Sequence, residues 1–349
     1  MPTIVLESPF TERSVSFESV DGFVIHGTLT YPSPTGHQNK PTPYVVIVQG
    51  SGKLDRDGNS KQISLEVYSR LAQFLASIGV SSVRYDKRGT HASLCPPPSY
   101  KGKNKKDIFN TSGLDDLAAD AVAALKFGST LPQVDTTKLF VAGHSEGGII
   151  MGRICKTAAQ THPEISLKGV MILCGFGETI VDAIESQTRK AIRDLDSGGF
   201  FQRNIVKPLV VNTGIMSTDS LKEFILDPKK KDLESTTYWL MPFPLKYFRD
   251  HYTLDLEEEG KWIKCPVLIV GGGKDFQVDA GKCTRENADR LLVNARKVDI
   301  EVLPNMTHVL RDTEGGVVSM LEVQSFYAQQ AKEELSPGLL KALEKFISS

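Results

Sequence analysis

Short apolar runs and amphipathic stretches alternate regularly along the first half of the chain. Residues 14–19 and 23–31 alternate apolar and polar side chains on either side of a Val-Asp-Gly turn signal, which predicts an antiparallel hairpin. Further strands are predicted at four apolar runs, 44–48, 80–85, 138–142 and 168–173. Helices are predicted between them, near 61–78, 114–127 and 146–160. This alternation predicts an α/β fold with a mostly parallel, doubly wound sheet and a functional site at the C-terminal strand ends.

The pattern is interrupted in the second half of the chain. Regular alternation stops near residue 175 and resumes at 264, and the interval is rich in lysine, aspartate and aromatic residues. Two more strands are then predicted at 266–270 and 299–303, followed by a helical region over 317–349. We therefore predict a core of residues 1–175 and 264–349 with an inserted segment at 176–263. The aromatic residues of that segment either line a ligand cavity or pack the insertion onto the core, and both interpretations stay open.

One predicted strand–turn–helix also carries a sequence motif that is typical of a catalytic residue. The run 138–142 leads into Gly143-His144-Ser145-Glu146-Gly147, and a helical pattern follows directly. A Gly-x-Ser-x-Gly motif between a strand and a helix is typical of a nucleophilic serine on a sharp turn. Glycines on either side allow a tight turn where a Cβ would collide with the neighbouring strand or helix. Ser145 is therefore the predicted nucleophile, and His144 is predicted to pack beneath the turn.

A serine nucleophile needs a histidine base, and three histidines follow Ser145 in the sequence. In the architecture that the motif suggests, the chain order is serine, acid, histidine. His308 follows the last predicted strand on a loop, where the base is expected. His162 lies at the end of the helix after the serine, and His251 precedes the strand that leads to the acid. The predicted base is therefore His308.

The acid is expected on a loop just past the strand at 266–270. Asp275 lies five residues beyond that strand, and Asp279 is a rival four residues later. We favour Asp275 because it is nearer to the strand end. The predicted triad is Ser145, Asp275 and His308.

Acyl transfer by a serine also needs an oxyanion hole, which is a set of backbone N–H donors facing the reacting oxygen. The predicted strand within 43–52 ends in Gly50-Ser51-Gly52, a loop able to present such donors. We assign the two donors to the N–H groups of Ser51 and Glu146. The alternative is that the two glycines only make a turn.

Composition narrows the class of protein. Lys and Arg number 41 against 42 Asp and Glu, a formal net charge of −1, and nothing in that balance indicates nucleic acid or a membrane surface as partner. No run approaches the roughly 20 apolar residues of a membrane span, and the N-terminus lacks a signal-peptide pattern. Five widely spaced cysteines suit buried thiols in a reducing compartment, so a cytoplasmic location is expected. No metal or organic cofactor is expected, and the oligomeric state is left open.

Three segments together resemble the α/β-hydrolases of the serine esterase, prolyl-oligopeptidase-like and dienelactone-hydrolase-like group, and the matches extend from about residue 13 to residue 310. They are Gly143–Gly148, the Gly50–Gly52 loop with Asp55-Arg56-Asp57-Gly58, and Tyr85-Asp86-Lys87-Arg88-Gly89. The resemblance implies an α/β-hydrolase fold with antiparallel N-terminal strands and a helical cap formed by the insertion. It implies cleavage of a carboxylic ester or thioester of a small acyl substrate through an acyl-enzyme. An acyltransferase, a peptidase and a non-catalytic ligand-binding relative are the alternatives.

Two departures from this resemblance concern the pocket. Relatives usually carry histidine before the oxyanion glycine, where this chain has Gln49. Residues 90–93, Thr-His-Ala-Ser, stand where relatives more often continue with glycine and serine. A glutamine can still hold the loop by a hydrogen bond, so the resemblance continues to imply catalysis, with an altered shape on the acyl side.

Overall fold

A central sheet with helices on both faces organises the chain. The computed structural model describes residues 9–33, 40–98, 100–101, 107–197, 218–238, 240–315 and 322–349. The strands are β1 Phe10–Glu18, β2 Val24–Pro32, β3 Thr42–Val48, β4 Ser81–Tyr85, β5 Val134–His144, β6 Leu167–Leu173, β7 Thr236–Tyr238, β8 Met241–Phe243, β9 Val267–Gly272 and β10 Val298–Leu303. The helices are α1 Val67–Ser77, α2 Ile108–Thr111, α3 Leu114–Ser129, α4 Glu146–Ile149, α5 Met151–Thr161, α6 Ile180–Ser197, α7 Thr218–Ile225, α8 Leu245–Tyr252, α9 Leu256–Gly260, α10 Arg285–Leu291, α11 Val323–Gln330 and α12 Pro337–Ile347.

The described strands form an eight-stranded sheet in the order β1-β2-β4-β3-β5-β6-β9-β10. The pairs β1/β2 and β2/β4 are antiparallel, and the remaining neighbours are parallel. This confirms the predicted mostly parallel, doubly wound sheet with antiparallel N-terminal strands. Parallel strands end at the same edge, so the loops after β3, β5 and β9 meet at one side of the sheet.

Alternate residues of the central strands face opposite layers of helices. In β3, Tyr44 and Val46 belong to one buried cluster, whereas Val45 and Ile47 belong to the other. The first cluster includes apolar side chains of α3 and α5, and the second includes those of α1 and α12. Burial on both faces explains why the central strands read as continuous apolar runs rather than as alternating ones.

The predicted helix at 146–160 is two helices. α4 and α5 are separated at Ile150, whose backbone (φ −87°, ψ 9°) leaves helical geometry. The other predicted boundaries differ from the observed ones by a few residues, most at the start of α1, which begins six residues later than expected. The predicted C-terminal helical region contains α11 and α12, and residues 316–321 of it lie outside the described residues.

The segment 176–263 joins β6 to β9, which are neighbours in the sheet. Its described residues contain α6, α7, α8 and α9, and also the small antiparallel sheet of β7 and β8. The segment therefore contains strands as well as the helices that the resemblance implies. Residues 198–217 lie outside the described residues, and the division of the chain at 176 and 263 stays a prediction.

Candidate active site

Ser145 lies on a strained turn between β5 and α4. Its backbone φ is 53°, a left-handed conformation that is uncommon for a residue with a side chain. The turn is so tight that its glycines have no room for a side chain. A Cβ on Gly143 would lie 2.2 Å from the Gly147 carbonyl oxygen, and a Cβ on Gly147 would lie 2.4 Å from the Val48 carbonyl oxygen. The spacing of glycines seen in the sequence is thus a steric requirement of this turn.

The three residues predicted as a triad form one continuous chain of hydrogen bonds. The Ser145 hydroxyl lies 3.1 Å from His308 Nε2, and His308 Nδ1 lies 2.8 Å from Asp275 Oδ2. The carboxylate partner implies that Nδ1 carries the proton, which leaves Nε2 free to accept one from the serine. β9 and β10 are adjacent in the sheet, and this brings the acid and the base together.

Asp275 is held as a carboxylate by its surroundings. Its Oδ1 accepts hydrogen bonds from the backbone N–H groups of Gln277 at 2.8 Å and Val278 at 2.9 Å. Burial alone would raise the pKa of Asp275, but His308 and the two backbone donors more than offset burial and hold that pKa below its usual value. The acid is therefore charged and fixed in orientation at neutral pH.

The rival residues occupy other places. Asp279 caps a short 3₁₀ turn, accepting a hydrogen bond from the Gly281 N–H at 2.9 Å. His162 lies beside the exposed Glu164 at the end of α5. His251 is buried on α8, and its Nε2 is hydrogen-bonded to Glu146 rather than to Ser145 or Asp275. The structure thus brings together the residues favoured from the sequence and leaves these alternatives outside the hydrogen-bonded chain.

Of the two predicted oxyanion donors, Glu146 directly follows Ser145, and Ser51 directly follows Gly50, on which a Cβ would lie 3.1 Å from the Ser145 Cβ. Glu146 is the first residue of α4, so its N–H has no acceptor within the helix. Gly50 is excluded as a donor because its N–H already donates to the Tyr68 hydroxyl at 2.8 Å. Ser51 and Gly52 follow it and line a cavity beside the site. Gln49 holds this loop as predicted, donating from Nε2 to the Tyr85 carbonyl at 2.7 Å.

A buried relay links Gly50–Gly52, which we call the oxyanion loop after its predicted role, to His308, the predicted base. The Tyr68 hydroxyl, which accepts the Gly50 N–H, also lies 2.9 Å from His144 Nδ1. His144 Nε2 in turn lies 2.8 Å from the His308 carbonyl oxygen. A carbonyl can only accept, so Nε2 carries the proton and Nδ1 accepts from Tyr68. Burial lowers the pKa of His144 to about 3, which keeps the ring neutral. The sequence predicted His144 beneath the turn but gave no sign of Tyr68.

A second buried cluster surrounds the Glu146 side chain. Lys87 Nζ lies 2.6 Å from Glu146 Oε2, and His251 Nε2 lies 3.0 Å from Oε1. All three side chains are at most 7% exposed. Lys87 comes from the loop after β4 and His251 from α8, so the residue after the nucleophile is joined to both. From the sequence, His251 is a candidate only for the base, and no pattern in the sequence indicates this cluster.

A cavity of about 320 Å³ adjoins the oxyanion loop. Apolar and aromatic side chains make most of its wall, and these are Phe109, Leu117, Ile180, Ile184, Pro244, Tyr247 and Phe248. The aromatic residues of 176–263 were expected either to line a ligand cavity or to pack within the protein, and the structure shows some of them in each role. Tyr247 and Phe248 line the cavity, whereas Phe224, Tyr238 and Phe243 pack against one another.

Among the described residues, Cys174, Asp275 and His308 form a group whose potential metal-ligand atoms lie within 4.8 Å of one another. Two of them, Asp275 and His308, are already hydrogen-bonded to each other. Burial, and then the nearby Asp275 charge, raise the pKa of the Cys174 thiol well above its ordinary value, which disfavours the thiolate that a metal requires. These contacts favour the predicted triad role of Asp275 and His308 over a role as metal ligands.

None of the helices in the described part of the chain combines the length and the apolar character needed to cross a bilayer. Comparison with known proteins gives no matching family model. The chain is 24% identical over 318 residues to esterase EstD from Thermotoga maritima, a match that covers 90% of this chain and 64% of the length of that relative.

Solved structures of three esterases resemble the chain over nearly all of its length. Esterase Est22 has a TM-score of 0.54 at 15% identity, covering 98% of this chain and 81% of its own. The Pyrococcus furiosus esterase Pf2001 has a TM-score of 0.51 at 12% identity, covering 97% and 91%. The acetyl xylan esterase from Paenibacillus sp. R4 has a TM-score of 0.50 at 16% identity, covering 95% and 86%. Together with the strand order and the turn at Ser145, these likenesses show that the chain has the α/β-hydrolase fold that its sequence motifs predict.

Proposed function

We infer that this chain is a serine hydrolase that cleaves a carboxylic ester, or the closely related thioester, through an acyl-enzyme. The observation that carries the proposal is the continuous hydrogen-bonded chain from Ser145 through His308 to Asp275. The adjoining apolar cavity, and the likeness to EstD over 90% of the chain, also support it.

Each residue has a distinct role in this mechanism. His308 Nε2 takes the hydroxyl proton as Ser145 Oγ attacks the carbonyl carbon, and Asp275 orients the imidazole and stabilises its charged form. The N–H groups of Ser51 and Glu146 stabilise the developing oxyanion, and losing one such donor typically lowers the rate by ~10²–10³. His308 then protonates the leaving group, and water activated by the same ring releases the acyl group from Ser145.

The segment 176–263 acts as a cap over the acyl site in this proposal. Tyr247 and Phe248 of α8, with Ile180 and Ile184 of α6, make one wall of the cavity. A cavity of about 150 Å³ holds one benzene molecule. The 320 Å³ here therefore suits an acyl group of roughly two such units, for example a medium-length chain or an aryl-substituted acyl group. The four buried free cysteines support a reducing, cytoplasmic environment.

A fluorophosphonate probe and a series of p-nitrophenyl esters test the proposal. We expect the probe to label Ser145, and Ser145→Ala to abolish labelling and to lower kcat by more than about 10⁴-fold. Partition of the acyl group to added alcohols or thiols instead of water would identify an acyltransferase. Labelling that persists in the Ser145→Ala variant would refute the assigned nucleophile.

A further inference from the structure

The charged side chains that line the cavity are two cations. Among the described residues of its wall, Lys87 and Arg88 are charged, and the polar ones, such as Gln187 and Gln277, are neutral. A cation on the wall of an acyl cavity would ordinarily favour an acyl group that carries a carboxylate. Whether this happens here depends on what else each cation contacts.

Arg88 is fully compensated by acidic side chains behind the wall. Its guanidinium lies 2.8 Å from Asp21, 2.5 Å from Asp120 and 3.5 Å from Asp116. Arg88 and Asp120 are each 1% exposed. With three carboxylates already around it, this guanidinium presents no net positive charge to the cavity.

Lys87 is compensated by the residue that follows the nucleophile. Its Nζ lies 2.6 Å from Glu146 Oε2, and neither side chain is more than 7% exposed. Burial alone would raise the pKa of Glu146, but Lys87 and His251 more than offset burial and hold that pKa well below its usual value. The carboxylate is therefore charged at neutral pH. Lys87 lines the cavity and Glu146 does not, so the carboxylate lies behind the ammonium as seen from the substrate.

We propose that Glu146 sets the charge specificity of the acyl site by neutralising Lys87, so that the enzyme accepts uncharged acyl groups and rejects those that end in a carboxylate. The proposal rests on the esterase function proposed above. A substrate carboxylate would lose its hydration in a largely apolar cavity without gaining an unpaired cation, which is unfavourable. A neutral acyl group loses little on entry, and the ammonium protons of Lys87 that do not bond Glu146 can still donate to an uncharged oxygen on it.

Two esters of equal length test this specificity. p-Nitrophenyl hexanoate and the mono-p-nitrophenyl ester of adipic acid differ only by a carboxylate in place of the terminal methyl group. We expect the wild-type enzyme to prefer the hexanoate by at least about tenfold in kcat/KM, since a hydrogen bond to a charged group typically changes an equilibrium by that factor or more. Equal turnover of the two esters would overturn the proposal.

Substitutions at the ion pair should move the preference in opposite directions. Glu146→Gln keeps the backbone N–H and leaves Lys87 uncompensated, so the ratio of adipate to hexanoate turnover should rise by about tenfold or more. Lys87→Met leaves Glu146 without its cation, and the ratio should fall below that of the wild type. The double variant should lose the gain of Glu146→Gln. A ratio that is unchanged in both single variants would overturn the proposal.

Glu259→Gln is a matched control. Glu259 is also a buried glutamate paired with a cation, with its Oε1 2.6 Å from Arg153, but it does not line the acyl cavity. This variant should lose stability without a change in the ratio.

Labelling of Ser145 by the fluorophosphonate probe reports an intact site in each variant. Should Glu146→Gln fail to fold, the wild-type ratio and the Lys87→Met variant still decide the matter. If the probe labels the wild-type enzyme and the enzyme hydrolyses both esters equally well, only the proposed charge specificity is refuted. If the probe does not label the enzyme, the proposed esterase function is refuted as well.

Discussion

Replacing Tyr68 by phenylalanine tests the relay between the oxyanion loop and the base. The Tyr68 ring is fully buried, and its hydroxyl is the partner of the Gly50 N–H at 2.8 Å and of His144 Nδ1 at 2.9 Å. Phenylalanine keeps the ring and removes both partners. Each buried polar group left without a partner costs about 1–3 kcal/mol, so the loss of both should lower the free energy of unfolding by about 2–6 kcal/mol.

The same substitution should lower activity, because Gly50 directly precedes Ser51, the proposed oxyanion donor. With the Gly50 N–H released, the loop is no longer fixed, and kcat should fall by about tenfold, less than the ~10²–10³ expected for losing a donor outright. Unfolding in urea gives the first quantity, and steady-state hydrolysis of p-nitrophenyl butyrate gives the second.

Tyr44→Phe is the control for this experiment. Tyr44 is equally buried, and its hydroxyl donates to the Ala124 carbonyl of α3 at 3.1 Å, away from the site. This variant should lose about 1 kcal/mol of stability and keep its kcat. If Tyr68→Phe unfolds at the wild-type urea concentration with unchanged kcat, the relay does not contribute to either property and the reasoning fails.

Three further predictions follow from the same contacts. Asp275→Asn should lower kcat by about 10⁴-fold with a smaller change in KM, because the amide cannot hold the His308 tautomer, and single-turnover kinetics would measure this. Gly147→Ala should yield little folded protein, or protein that the fluorophosphonate probe does not label, because its Cβ would lie 2.4 Å from the Val48 carbonyl oxygen. The pKa of His144 in the folded chain is about 3, below the ordinary histidine value of about 6.5, so the unfolded chain binds the proton more readily. Its contribution to stability is complete above about pH 6.5 and is lost as the pH falls toward 3. The free energy of unfolding, measured in urea across that pH range, should therefore fall more steeply with decreasing pH in the wild type than in His144→Gln.

The triad could be predicted because its signals are local and ordered along the chain. Ser145 lies in a motif whose glycines report a steric requirement, and Asp275 and His308 each follow a strand that is apolar enough to be recognised. Adjacent strands then bring the two loops together. The sheet was predictable for the same reason, since continuous apolar runs report burial on both faces.

The supporting contacts could not be predicted in this way. Lys87 meets Glu146 across 59 residues of sequence, and His251 meets it across 105. Tyr68 meets His144 across 76 residues. None of these residues lies in a pattern whose period or spacing indicates a partner, and their pairing depends on how α8 and α1 pack on the sheet.

These contacts converge on the two positions of the Gly-x-Ser-x-Gly motif that its pattern leaves free. His144, before the serine, contacts Tyr68 and the His308 carbonyl, and Glu146, after it, contacts Lys87 and His251. The glycines permit the turn, but they have no side chains with which to hold it in place. The strained backbone at Ser145 must be stabilised by its surroundings, and the neighbouring side chains are the nearest groups able to do so. In this chain the two free positions of the motif therefore anchor Ser145, the proposed nucleophile: His144 connects it to His308 and the Gly50–Gly52 loop, and Glu146 connects it to Lys87 on the cavity wall and to His251 of the segment 176–263.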